Sequence, residues 1–215
     1  MSSPGRARIL TTVDALTETL RRRILGGDLQ PGTPLREEAL SSEYDVARHS
    51  LRSALRTLQG EGIVEIEPNR GARVKTLSPE DVRGLSELRM ALEVEAARMA
   101  LERGGGSLPA SVHRSAGQLA AACRRNRPSW GAVAEAHEAL HHEIVLAADS
   151  PRLAAAHHQA GAELRLFVLQ LPPAWTLERI ASDHLQLVGQ LERHGAEVLR
   201  PHIAESTQAL LSASA

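Results

Sequence analysis

Aromatic side chains are almost missing from this chain. Two Trp, one Tyr and one Phe stand in 215 residues, about 2%. With so few strand-favouring rings and with Ala and Leu abundant, the core these residues build is helical. Lysine is scarcer still: Lys75 is the only one, so nearly every cation is an arginine, suited to bidentate contacts with phosphate or guanine. The single Cys123 excludes an internal disulfide and suits a reducing compartment. No run of about 18 uncharged apolar residues exists, which excludes a spanning helix. The opening MSSPGRARIL carries arginines but no apolar h-region and no small-residue cleavage site, so a cytoplasmic protein is expected.

What is present is an ordinary globular balance, 42% apolar and 24% charged, in a length that fits one sizeable core or two smaller ones. The net charge of −1 divides into +2 over residues 1–77 and −3 over the remainder. That asymmetry is slight. If nucleic acid is bound, positive charge must be concentrated on one face.

Residues 1–11 read as a flexible tail. Val13, Leu16, Leu20 and Ile24 then follow helical spacing until Gly26-Gly27. Gln30-Pro31-Gly32-Thr33-Pro34 is a turn by composition. A short helix is predicted over about 36–43, a tight turn at Tyr44-Asp45-Val46, and a second helix over about 48–60. Ile63, Val64 and Ile66 read as a strand, Pro68-Asn69-Arg70-Gly71 as a hairpin turn, and Ala72-Arg73-Val74 as the returning strand. This order is a winged helix-turn-helix with a two-stranded wing over 12–77. Ser78 is a good N-cap with Pro79 at the first helical position, so a new unit opens at 78–215, with the linker at 76–79. Six helices are expected there, near 79–103, 109–125, 129–148, 150–171, 174–193 and 197–213. The fold class is therefore mainly α: the winged unit followed by a six-helix antiparallel bundle.

On the second helix of the pair, Leu51, Leu55 and Leu58 face inward while Arg48, Arg52 and Arg56 recur every four residues on another face. An arginine row at the start of a short helix after a tight turn suits major-groove readout, although a merely solvated face has the same pattern. The run PGTPLREEALSSEYDVARHSLRSALRTLQGEGIVEIEPNRGARV resembles the winged helix-turn-helix of the GntR family of bacterial regulators. The shared elements are the Pro-Gly turn, Leu-Arg-Glu, an Arg-x-Ala-Leu helix, a Glu-Gly-Ile-Val strand and an Arg-Gly wing tip, over about 65 residues. The resemblance implies that Arg36, Arg48 and Arg52 approach DNA, with His49, Arg56 and Arg70 beside them. Gly71 would let the wing backbone come close to the minor groove. Asp45 stands where a turn glycine is usual, and Ala47, His49 and Ser50 where Ser, Thr and Pro are usual.

Nine of the ten histidines lie between His113 and His202. His137 and His141, four apart, project from one helix face, and with His184 and His202 they draw imidazoles from three helices, a first shell suited to a divalent metal. His113, His142, His157, His158 and His194 read as solvated or partly buried. Residues 79–215 are similar to the FCD ligand-binding domain of FadR-type GntR regulators. The carriers are Glu87-Leu88-Arg89 with Leu92-Glu93, the stretch HEALHHEIVLAADSPRL, and the pairs Asp183-His184 and His202-Ile203. By that resemblance His141, His184 and His202 match metal ligands, and His137 stands in the place of an aspartate. Four neutral nitrogens favour zinc or nickel over manganese. The interval from His184 to His202 is about one helical turn short, and Pro201 is expected to kink the last helix or delay its start.

These readings imply a ligand-responsive repressor that binds a palindromic double-stranded operator as a homodimer and is released by an organic or sugar acid held at the metal and Arg89. Two alternatives stand beside it. One is a metal-dependent hydrolase using the histidine cluster with Glu138 or Glu143 as general base; the other is an architectural DNA binder without a ligand.

Overall fold

The computed structural model describes residues 11–171 and 175–213. Of the tail assigned to 1–11, only Thr11 falls among them. It caps the first helix, α1 (Thr12–Leu25), through a reciprocal pair with Asp14. A short strand β1 (Pro34–Leu35) follows, then α2 (Glu37–Glu43), α3 (Arg48–Gly60), β2 (Val64–Glu67) and β3 (Gly71–Val74). The two-stranded wing is present, and β1 extends it to three antiparallel strands in the order β1-β3-β2. The segment read as a turn thus ends in a strand, with Pro34 opposite Arg73 and Leu35 opposite Ala72.

Among the described residues six more helices make up the C-terminal part: α4 (Pro79–Arg103), α5 (Ala110–Cys123), α6 (Trp130–Leu146), α7 (Pro151–Leu169), α8 (Leu177–His194) and α9 (Leu199–Ala213). Ser78 and Asp81 form the capping box of α4, with Pro79 at its start. The expected break at Pro172-Pro173 lies outside the described residues. A 3₁₀ turn, Ala196–Val198, precedes α9. Pro201 sits in the first turn of that helix, where its missing N–H costs nothing. The α-helix thus begins at Leu199, two residues later than expected, and continues past His202.

One continuous apolar core joins the two parts. Leu16, Leu20 and Ile24 of α1 and Leu55 and Leu58 of α3 belong to the same cluster as Leu164, Phe167 and Val168 of α7. Helix α1 rests on α6 and α7. Its end approaches the start of α6 so closely that a Cβ on Gly131 would lie 2.4 Å from the Gly26 carbonyl oxygen. Polar contacts stitch the same seam. Lys75 Nζ lies 2.7 Å from Asp81 Oδ1 and 3.8 Å from Glu163 Oε1, and the Leu77 N–H donates to Gln170 Oε1 at 3.1 Å.

Candidate DNA interface and candidate metal centre

The spacing of α3 sorts its side chains. Leu51, Leu55 and Leu58 are buried, and Arg48, His49, Arg52 and Arg56 are exposed. Arg36, at the N-cap of α2, is exposed as well, as are Arg70 and Gly71 at the wing tip. Arg52 and Arg56 line a cleft of about 240 Å³ that Ile66, Gly71 and Ala72 of the wing also line. Asp45 in the helix-helix turn has φ +50°, the left-handed conformation that aspartate tolerates. Gly71 has φ +80° with open space where a Cβ would be, so a backbone can approach there.

In the free protein two of the arginines of α3 are lightly held. Arg52 Nε donates to Glu37 at 2.8 Å and Arg48 lies 3.7 Å from Glu38, both in solvent-facing pairs. Exposed pairs of this kind contribute about 1 kcal/mol or less, so phosphate or a base edge can take their place.

The four histidines expected as metal ligands come together. His137, His141 and His184 bring one nitrogen each within 4.8 Å of the others. His202 stands outside that set of three but packs on it, its ring 4.6 Å from His184 and 5.5 Å from His141. Burial pushes all four imidazoles below their ordinary range, His184 to about 3; neighbouring imidazoles and Arg89 add to the effect, and at His141 the Glu93 carboxylate opposes it. They are neutral at physiological pH and free to ligate.

Two of the rings have their tautomers set. His184 Nδ1 donates to the Ile180 carbonyl at 2.8 Å, and His141 Nδ1 lies 2.7 Å from Glu93 Oε2. Each therefore presents an unprotonated Nε2, and these two atoms face each other at 3.4 Å. Two lone pairs at that distance repel unless a cation lies between them. Zinc–nitrogen bonds of about 2.0–2.1 Å at tetrahedral angles put neighbouring nitrogens about 3.3–3.4 Å apart. His137 Nδ1, buried and without a hydrogen-bond partner, is a third nitrogen waiting for one. The residues present fit a divalent metal.

Glu93, whose role the sequence does not mark, completes the cluster. It is fully buried on α4, bound by Arg89 Nε at 2.7 Å. Burial alone would raise its pKa, but Arg89 and His141 outweigh that and hold the carboxyl well below its usual range. Arg89 lies next to the cluster, its Nη2 3.3 Å from both ring nitrogens of His141, yet its guanidinium is already engaged by Glu93. His157, expected at least partly solvated, is buried, with Nε2 3.4 Å from Glu93 Oε1.

Residues 12–74 match the family "Bacterial regulatory proteins, gntR family", and residues 84–208 match the FCD domain. The HTH-type transcriptional repressor RspR of Escherichia coli (strain K12) is 40% identical over 81 residues, 38% of this chain and 36% of that protein. The Paenarthrobacter nicotinovorans protein named "Probable D-xylose utilization operon transcriptional repressor" is 26% identical over 95% of this chain and 89% of its own length. The chain spans well under two thirds of the first curated relatives it matches, 43% and 36% of their lengths. A solved GntR protein from Rhodococcus sp. RHA1 shares the fold with a TM-score of 0.77 at 20% identity, covering 94% of this chain and 98% of that one.

Proposed function

Because the chain belongs to the GntR family of bacterial regulatory proteins and carries an FCD domain, we propose that it is a repressor whose hold on DNA is released by a carboxylate effector. Membership of a family of regulators also sets the hydrolase alternative aside. In this reading residues 12–77 bind a palindromic operator as part of a homodimer, and residues 78–215 sense the effector and dimerise. Arg36, Arg48, His49, Arg52, Arg56 and Arg70 meet DNA, with Gly71 against the minor groove. A dimer is needed because one short recognition helix reads too few bases to be selective alone.

The observation that carries the sensing half is the pair of unprotonated Nε2 atoms of His141 and His184, 3.4 Å apart beside Arg89. His137, His141 and His184, with His202 alongside, would hold the metal; zinc or nickel suits four neutral nitrogens. When bound it supplies positive charge for a carboxylate in a site that water barely reaches. Arg89 supplies a second anchor, but only by exchanging Glu93 for the effector. That exchange acts on α4, the helix that starts five residues after the wing ends. By its name the Paenarthrobacter relative controls a sugar operon, which is in keeping with a sugar-derived acid.

The test is selection of a random duplex library with the full-length protein, followed by titration of the enriched site. A two-fold symmetric sequence is expected, with affinity falling steeply with salt as Arg36 and Arg56 displace counterions. Arg52→Ala should weaken specific binding by about 1–3 kcal/mol, the worth of a bidentate base contact. Unchanged affinity and sequence preference in that variant would remove α3 as the reading helix.

A further inference from the structure

A second group of ligating side chains lies outside the four-histidine cluster. Glu138 and His142, four residues apart on α6, meet His157 of α7, and their ligand atoms lie within 4.8 Å of one another. His142 Nδ1 and His157 Nδ1 are 3.2 Å apart, slightly under the nitrogen–nitrogen edge of a tetrahedral zinc site. Nε2 of His157, buried and lacking a hydrogen bond, is 3.4 Å from Glu93 Oε1. A metal-binding histidine usually donates its other ring N–H to a carboxylate, and His157 Nε2 lies within ion-pair range of one without completing that hydrogen bond. Here that carboxylate is the one that also fixes His141.

From these contacts we infer that Glu138, His142 and His157 form a second site for a borderline divalent cation such as zinc, cobalt or nickel, joined to the first cluster through Glu93. The donor set is two imidazoles and one carboxylate, which leaves further positions for water. Gly161 of α7 faces Glu138: a Cβ there would be 3.1 Å from Glu138 Oε1, so the glycine makes room for the carboxylate. Glu138 and His142 are partly exposed, and Glu138 borders a groove of about 620 Å³ that Arg21 and Glu61 of the winged part line from the other side. A cation at this place exchanges with solvent and ties α6 to α7, the two helices on which α1 rests. Metal in the first cluster is not required for this.

Equilibrium dialysis of chelator-stripped, full-length protein against Co(II), with the visible spectrum recorded, tests the site. Wild type is expected to bind one more equivalent than His142→Ala. Glu138→Gln, which keeps the shape of the side chain, should lose that equivalent or bind it more weakly by about tenfold or more. His184→Ala, altered in the first cluster only, should retain it. If that variant loses every equivalent, the two groups are one site and the inference falls. It also falls if His142→Ala or Glu138→Gln, when folded, binds as much cobalt as wild type with the same affinity. Circular dichroism establishes which variants are folded, and Glu138→Gln carries the comparison if His142→Ala is not.

Discussion

Glu93 sets the character of the site more than any histidine does. It accepts from Arg89, orients His141 and faces His157, all with no exposed surface of its own. The sequence places Arg89 at the effector but does not mark its pairing with Glu93, because a spacing of four reports a shared helix face and not which neighbours cover it. The histidines were easier to read, since four of them project inward from helices whose periodicity is plain. His157 was not, as its burial depends on α7 packing against α4 and α6. Truncating one partner of a buried ion pair leaves the other charge desolvated. Glu93→Ala is therefore expected to lose about 3–5 kcal/mol of stability in urea unfolding. The double change Arg89→Met with Glu93→Leu should lose clearly less. Equal losses would show that the carboxylate matters for packing and not for Arg89.

At the scale of elements the sequence was informative wherever local chemistry marks an end. Ser78-Pro79 opens α4 as expected, and Arg48 to Gly60 form α3 as expected. The strand β1 left no such mark. Two residues cannot show alternation, the first of them is Pro34, and the pairing with Arg73 and Ala72 is a contact across almost forty positions. The seam between the two parts was equally hidden. Gly62 illustrates it: φ is +74°, and a Cβ there would lie 1.7 Å from Glu163 Oε1 and 2.5 Å from its Cγ, so the whole side chain would have to leave. Gly62→Ala combines left-handed strain with loss of the Lys75–Glu163 contact, for an expected cost of about 1–3 kcal/mol. Gly60→Ala has open space and no positive φ, so it should leave the midpoint of thermal unfolding unchanged or slightly raised. Matching losses in the two variants would mean that the seam contributes nothing.

Across the whole molecule, α4 is the element that both functions share. Its first turn holds Asp81, paired with Lys75 just beyond the wing, and its middle holds Arg89 and Glu93 at the histidine cluster. A ligand can move such an equilibrium only by its different affinity for the two states. In the proposed reading, exchange of Glu93 for an effector carboxylate on Arg89 would supply that difference, because the buried pair would exist in one state and not in the other. A coupling of about 1–3 kcal/mol corresponds to roughly a 5–150-fold change in operator affinity, and linkage requires DNA to change effector affinity by the same factor. The measurement is a pair of titrations on full-length protein: organic acids against the labelled selected site, and the duplex against effector binding followed by calorimetry. Equal factors from the two directions are expected in wild type. His141→Ala removes the imidazole that touches Arg89, Glu93 and His184 at once. That variant should bind DNA as wild type does, because α3 and the wing are untouched, but release nothing when the acid is added. A full response in His141→Ala would place the sensing site elsewhere in the helical part and leave the histidine cluster as a structural metal centre or as packing.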